Sequence, residues 1–391
     1  MTDWENFVHV SCDVAGVIKP VRGPTTRATS QFPLRTDSRQ LITQETYEPA
    51  QASGPRSCGQ PQRAVRPGVL AVRVRTPTPW ILPTQPVTRA LLAAAGITDD
   101  MIATHVRAGR LRRLRRGVYM ASENWPDDPA GQHLVLAHAV QVANPDAILS
   151  HQSAAVALGL PTPGFAAWHD ALPSLTQPAD SRRRSRERNA ELSVRTIGPT
   201  DIVRDRDGYR ATSVARTAVD LAAGLALPEA LVLLDDAARR LVTAMVSSAR
   251  RADYSNPRYA AAARDLLTAA MVRPLKPLVD AIAKADPARE SPAESLTAGH
   301  LYRSGLPMPL FQAPLRTRIG TVFLDFLWPE HRLVGECDGA MKYTDRRALV
   351  EEKIREDAVR ETGHRFVRWM GADPMVRPDE LISRIARALG L

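Results

Sequence analysis

FLDFLWPEHRLVGECDG, from Phe323 to Gly339, is the stretch on which the fold turns. Two apolar runs flank Pro329–Glu330–His331, a composition suited to a tight turn between antiparallel strands. Three carboxylates, Asp325, Glu336 and Asp338, interrupt the apolar pattern. Unpaired charge inside a sheet is costly, so these acids must pair, cap or hold a cation. With the turn centred between Glu330 and His331, Asp325 falls opposite Glu336. Directly opposed residues of an antiparallel pair share a face. Alternation adds Asp338 to that face and turns Cys337 away. Like charges so placed call for a compensating cation, and carboxylates and carbonyls are the donors a hard divalent ion takes. A one-residue slip would move Asp325 to the other face.

The surrounding chain predicts an α/β domain with a small mixed sheet. From residue 290 the order reads as a helix over SPAESLTAGHLYRSG, then a strand near Gln312–Arg316 and the two strands of the hairpin. A helix over Arg346–Thr362, a strand over Arg365–Met370 and a helix over Pro378–Leu389 complete it. SPAE reads as a capping box, with Ser291 as N-cap, Pro292 at the first helical position and Glu294 at the third. Arginines of the Arg346–Thr362 helix alternate with Glu351, Glu352, Glu356 and Asp357, the spacing of i,i+4 ion pairs.

SPAES, GLPMPLFQ, the hairpin itself, MKY, EEKIREDAVRETGHRFVRW and LISRIARAL resemble, in this order, the PD-(D/E)xK nuclease fold. The closer likeness is to a domain family similar to very-short-patch-repair endonucleases, and it covers almost all of residues 290–391. The resemblance implies that Asp325 and Glu336 are metal ligands and that Glu294 is a third acid of the catalytic set. It implies Mg²⁺ or Mn²⁺ as the cofactor and phosphodiester hydrolysis as the chemistry. Many such nucleases carry lysine two residues after the second acid, where this chain has Asp338. Lys342 or Lys353 is then expected to supply the ammonium, and Asp338 and Lys342 complete the catalytic set. Arg355, Arg360 and Arg368 are expected on flanking phosphates.

At 391 residues the chain predicts several domains. A net charge of +10 suits a polyanionic partner, although arginine enrichment from a GC-rich genome would also produce it, since lysine occurs at five positions only. Cys12, Cys58 and Cys337 form neither a disulfide framework nor a zinc cluster, as expected of a reducing cytoplasm. No apolar run approaches the roughly 20 residues of a membrane span, and the N-terminus lacks a signal-peptide pattern. No membrane association and no small-molecule cofactor are expected. Residues 1–80 are rich in Pro, Arg, Thr, Ser and Gln and carry no period, as in a disordered or spurious upstream extension.

Between residues 81 and 120 a short helix, VTRALLAAAG, precedes TDDMIATHVRAG, with Thr98 as N-cap, and then RLRRLRRGVYM, an arginine-rich strand pair. This is the order of a winged helix-turn-helix. ITDDMIATHVRAGRLRRLRRGVYM, together with TSVARTAVDLA further on, resembles AbiEi-type antitoxins of type IV toxin–antitoxin systems. The resemblance implies a DNA-binding module and a cognate nucleotidyltransferase-like toxin. Arg110, Arg112, Arg113, Arg115 and Arg116 would lie against phosphates. Asp99 and Asp100 stabilise the start of the second helix but would face the groove end where bases are read. Protein docking and a structural remnant are the other readings of this module.

Residues 121–285 read as a mixed α/β middle region ending in helices, and 286–391 as the nuclease-like domain. His133, His138 and His151 do not share a helix face and are expected to be core or surface residues. Two functions compete: a metal-dependent DNA endonuclease recruited by its winged helix, and a non-catalytic DNA-binding regulator or antitoxin that keeps the nuclease fold as a platform.

Overall fold

The computed structural model describes residues 80–181, 188–338 and 346–391, with side chains omitted at 346–349. The segment 1–79, most of the Arg182–Arg188 run, Gly339 and Lys342 lie outside the described residues. What is described is a multidomain α/β protein with three small sheets.

The basic N-terminal module comprises β1 (Val87–Thr88), α1 (Arg89–Ala94), α2 (Asp99–Arg107), β2 (Leu111–Arg115) and β3 (Val118–Ala121). Its sheet runs in the order β1-β3-β2. Thr88 and Thr98 cap the two helices, their hydroxyls accepting from the N–H groups of Leu91 (3.2 Å) and Met101 (3.3 Å). Gly117, at φ +76°, supplies the left-handed turn between β2 and β3. Leu92, Ile102 and Leu111 form a small core. The outer face of β3 is buried as well, because the first helix of the next region packs on it.

That region contains α3 (Pro129–Ala143), β4 (Ile148–Leu149), α4 (His151–Leu158), β5 (Ser174–Pro178), β6 (Glu191–Arg195), β7 (Ile202–Arg204) and β8 (Arg210–Thr212). Helices α5 (Val214–Ala222), α6 (Leu227–Met245), α7 (Arg251–Tyr254), α8 (Pro257–Ala269) and α9 (Lys276–Ala283) follow. The sheet order β6-β5-β4-β8-β7 mixes parallel and antiparallel pairs. The helices bury an alanine- and leucine-rich core around α6. The three histidines are absorbed locally. His133 bonds Ser153 Oγ (2.8 Å), His138 bonds Asp205 (2.7 Å) and stacks on Tyr209, and His151 bonds Ser150 Oγ (2.9 Å).

The C-terminal region is α10 (Pro292–Ser304), β9 (Leu310–Thr317), β10 (Gly320–Trp328), β11 (Leu333–Asp338), α11 (Arg346–Arg360), β12 (Arg365–Met370), α12 (Asp373–Val376) and α13 (Pro378–Leu389). Its sheet order is β12-β11-β10-β9, with β11 and β12 parallel. One face packs Phe326, Trp328 and Trp369 against Leu301 of α10 and Leu381 and Ile385 of α13. The other packs Leu324 and Val334 against Val359 of α11. Gly335 provides a flat floor: a Cβ there would meet the Trp369 ring at 2.7 Å.

Helices α6 and α10 meet closely. A Cβ on Gly299 would lie 2.3 Å from Pro228 Cα, so only glycine allows that approach. Beside this contact Arg289 and Asp235 form a fully buried ion pair, with Nε–Oδ2 at 2.6 Å and Nη2–Oδ1 at 2.8 Å.

Candidate functional site

The acid hairpin has the register in which Phe326 pairs with Gly335, Leu327 with Val334 and Trp328 with Leu333. Extended by one step, that register would set Asp325 opposite Glu336, but the ladder stops first. The Cys337 N–H donates instead to Asp325 Oδ2 (3.3 Å). On the other side Leu324 pairs with Ala313 and Phe326 with Phe311, while Gln312, at φ +49°, leaves Asp325 unmatched. The alternation changes there. Val322 and Leu324 join the α11-side core, and Phe326 and Trp328 the α10-side core.

The shared face expected from the sequence for the three acids is therefore not formed. Asp325 turns toward Glu294 and Gln312, whereas Glu336 and Asp338 turn toward α11. The reason is physical: alternation holds only along an unbroken pleat, and Gln312 breaks it.

Two acidic groupings result. In the first, the Ser291 hydroxyl caps α10 by accepting from the Glu294 N–H and itself donates to Glu294 Oε1 (2.8 Å), so the expected capping box closes through the hydroxyl and not through the Ser291 N–H. Glu294 Oε2 also accepts from the Glu290 N–H (3.0 Å), and Gln312 Nε2 lies 3.3 Å from it and 3.2 Å from Asp325 Oδ1. Burial, reinforced by the charge of Asp325, pushes the Glu294 carboxyl up to about 7. Glu290, Ser291, Glu294, Asp325 and Cys337 line a cleft of about 470 Å³. Burial, with the charges of Glu294, Asp325 and Asp338, also raises the Cys337 thiol.

In the second grouping, Glu336, Asp338 and Glu352 bring one oxygen each to within 4.8 Å of one another. Such an all-carboxylate set suits a hard divalent cation. At its centre, however, stands Arg368, bonded to Glu336 (2.6 Å), Glu352 (2.9 Å) and Glu356 (3.0 Å), with Asp338 at 3.7 Å. Burial raises the Glu336 carboxyl, opposed by Arg368 and Arg355.

Arg368 is thus an internal counterion and not the phosphate contact expected of it. Arg355 donates to Phe323 O (2.5 Å) and faces Glu336 (3.7 Å), and Arg360 binds Glu356. All three arginines are engaged within the chain: Arg360 pairs with Glu356 at helical spacing on α11, Arg355 reaches from α11 to β10 and β11, and Arg368 reaches from β12 to acids of β11 and α11. Lys353 is exposed on α11. Glu352 and Gln312 are the site residues that sequence reading passed over. Glu352 had a signal in its position four residues before Glu356, and Gln312 in being a polar residue set between Phe311 and Ala313.

At the basic module, Arg110, Arg112, Arg113 and Arg116 are exposed and Arg115 is half-buried. Arg112 lies over the Trp125 ring at 4.2 Å. The acid at the start of α2 has a partner: Arg89 Nε donates to Asp99 Oδ1 (2.7 Å), and its Nη2 pairs with the other oxygen. The helix start is thereby less repulsive to a polyanion than its two aspartates suggest.

Residues 85–121 match the family described as transcriptional regulator, AbiEi antitoxin. The match spans this basic module and ends at the last residue of β3. Two uncharacterized proteins of Mycobacterium tuberculosis, one from strain CDC 1551 / Oshkosh and one from strain H37Rv, are 32% identical to the chain over 185 residues. The aligned part is 46% of this chain and 62% of each relative, so the chain spans less than two thirds of the relatives it matches. Among the described residues no helix is long and apolar enough to cross a membrane.

Proposed function

We propose that this chain is a DNA-binding regulator that grips the duplex through its AbiEi-like winged helix. The observation that carries the reading is the row of exposed arginines, Arg110, Arg112, Arg113 and Arg116, on the hairpin beside a helix whose first acid is already paired. Guanidinium groups so placed displace counterions from phosphates, which makes binding salt-dependent. The double variant Arg113→Ala/Arg116→Ala is expected to reduce the slope of log K against log salt by about 2 and to weaken binding to all sequences alike. An unchanged slope removes these arginines from the interface. The antitoxin likeness makes a toxin protein of the same system the second proposed partner.

A second reading is favoured by the cleft holding Glu294 and Asp325: hydrolysis of DNA phosphodiesters in the C-terminal domain with Mg²⁺ or Mn²⁺. Glu294 and Asp325 are the oxygen donors that would hold an ion in that cleft, Glu336, Asp338 and Glu352 those that would hold one on the α11 side, and a bound ion would supply Lewis-acid activation of water. Arg368 competes for the oxygens of Glu336 and Glu352, so the α11-side group binds an ion only as that guanidinium gives way. Plasmid DNA incubated with the full chain and Mn²⁺ is expected to be nicked, and Asp325→Ala to lower the rate at least about a hundredfold. Equal cutting by the two proteins leaves the regulator as the sole reading.

A further inference from the structure

Gln312 is 2% exposed, lies between Phe311 and Ala313 in β9, and has a left-handed backbone, a conformation that residues with side chains rarely adopt. The conformation takes it out of pairing with β10 and directs its amide between the two acids. Nε2 donates to Glu294 Oε2 (3.3 Å) and Asp325 Oδ1 (3.2 Å), while Oε1 accepts from Arg251 Nη1 (2.9 Å). Arg251 belongs to α7, outside the C-terminal region. It stands over the Phe323 ring at 5.0 Å and pairs with Glu290 (3.2 Å), which lines the same cleft.

An amide has one donor end and one acceptor end, whereas a guanidinium only donates. With Arg251 in place, Oε1 must face it and the N–H groups must face the acids. We infer that Gln312 is a positioning residue for the Glu294–Asp325 pair, and that Arg251, brought by the middle region, selects which end of the amide the pair meets. In the arrangement seen, Glu294 already takes three donors: Oε2 accepts from Gln312 and the Glu290 N–H, and Oε1 from the Ser291 hydroxyl. Turned over, the amide presents Oε1 to the pair, an oxygen ligand of the kind hard cations take. The Arg251 side chain is 42% exposed, and a phosphate is a stronger acceptor for it than an amide oxygen. A DNA phosphate that draws Arg251 away therefore frees the amide to turn. This inference rests on the cation reading of the C-terminal domain.

The test follows two readouts on the full chain. Mn²⁺ binding is titrated calorimetrically, and hydrogen exchange of the Gln312 side-chain NH₂ is followed by ¹⁵N NMR without metal. Arg251→Ala is expected to tighten Mn²⁺ binding about tenfold, the worth of one hydrogen bond involving a charged group, and to speed amide exchange. Arg251→Lys, which keeps a donor for Oε1, stays close to wild type. Gln312→Ala added to Arg251→Ala abolishes the gain in affinity. Unchanged amide exchange in Arg251→Ala overturns the inference whatever the metal does. Faster exchange with equal Mn²⁺ affinity overturns it too, because the selected end then makes no difference to the pair. Should no variant bind Mn²⁺ at all, the cation reading fails, and amide exchange alone decides the role of Arg251.

Discussion

Arg289→Ala is expected to destabilise the chain by about 3–5 kcal/mol, since it leaves Asp235 buried without its counterion. Asp235 and Arg289 are 1% and 2% exposed. The guanidinium grips both carboxylate oxygens and also donates to Lys284 O (2.6 Å), while Asp235 Oδ1 accepts from the Asp286 N–H (2.8 Å). Four polar groups at the junction of α6 with the approach to α10 thus depend on one another. Replacing both charges, as Asp235→Leu/Arg289→Met, is expected to recover part of the loss. It still leaves the Lys284 carbonyl and the Asp286 N–H unpaired, at about 1–3 kcal/mol for each buried group. Urea unfolding followed by circular dichroism measures both variants. A single mutant within about 1 kcal/mol of wild type would show that the pair contributes no net stability.

The second large effect is on pH dependence. The Glu294 carboxyl titrates near 4.5 when unfolded and near 7 in the fold. Between those values the folded state holds a proton that the unfolded state has released. Stability from this group is therefore complete below about pH 4.5 and is lost as pH rises through about 7, by about 3 kcal/mol in all. Glu294→Gln cannot titrate and should flatten this segment of the profile. Urea midpoints at about pH 5 and about pH 7.5, in EDTA, compare the two proteins. Parallel profiles would mean that Glu294 ionises in the fold as freely as in water.

Local order was legible in the sequence where short-range chemistry decides it. Thr98 before two aspartates, Gly109 after a helical run and SPAE before an apolar stretch each satisfy a helix end by themselves, and the described helices begin and end there. The hairpin register could be read for the same reason, because the tight turn at Pro329–His331 leaves one pairing that buries Phe326 and Trp328. The acid site was read less well. Nothing local to Asp325 announces that the strand beside it carries a left-handed Gln312, and that residue decides which way the carboxylate points. Helical spacing announces the Arg360–Glu356 pair on α11, whereas the partners of Arg355 and Arg368 lie partly on other elements, where no local pattern shows them.

The sequence alone determined the helix and strand order over residues 290–370, the caps at Thr98 and Ser291, the α/β class and the basic character of residues 85–121, all of which follow from neighbours a few residues apart. Only the tertiary structure decided that the acids fall into two groups, that Arg368 occupies one of them, and that Arg251 reaches the other through Gln312. Those contacts join residues 12 to 61 positions apart. Their energies arise from burial and directional hydrogen bonding, which no local pattern encodes.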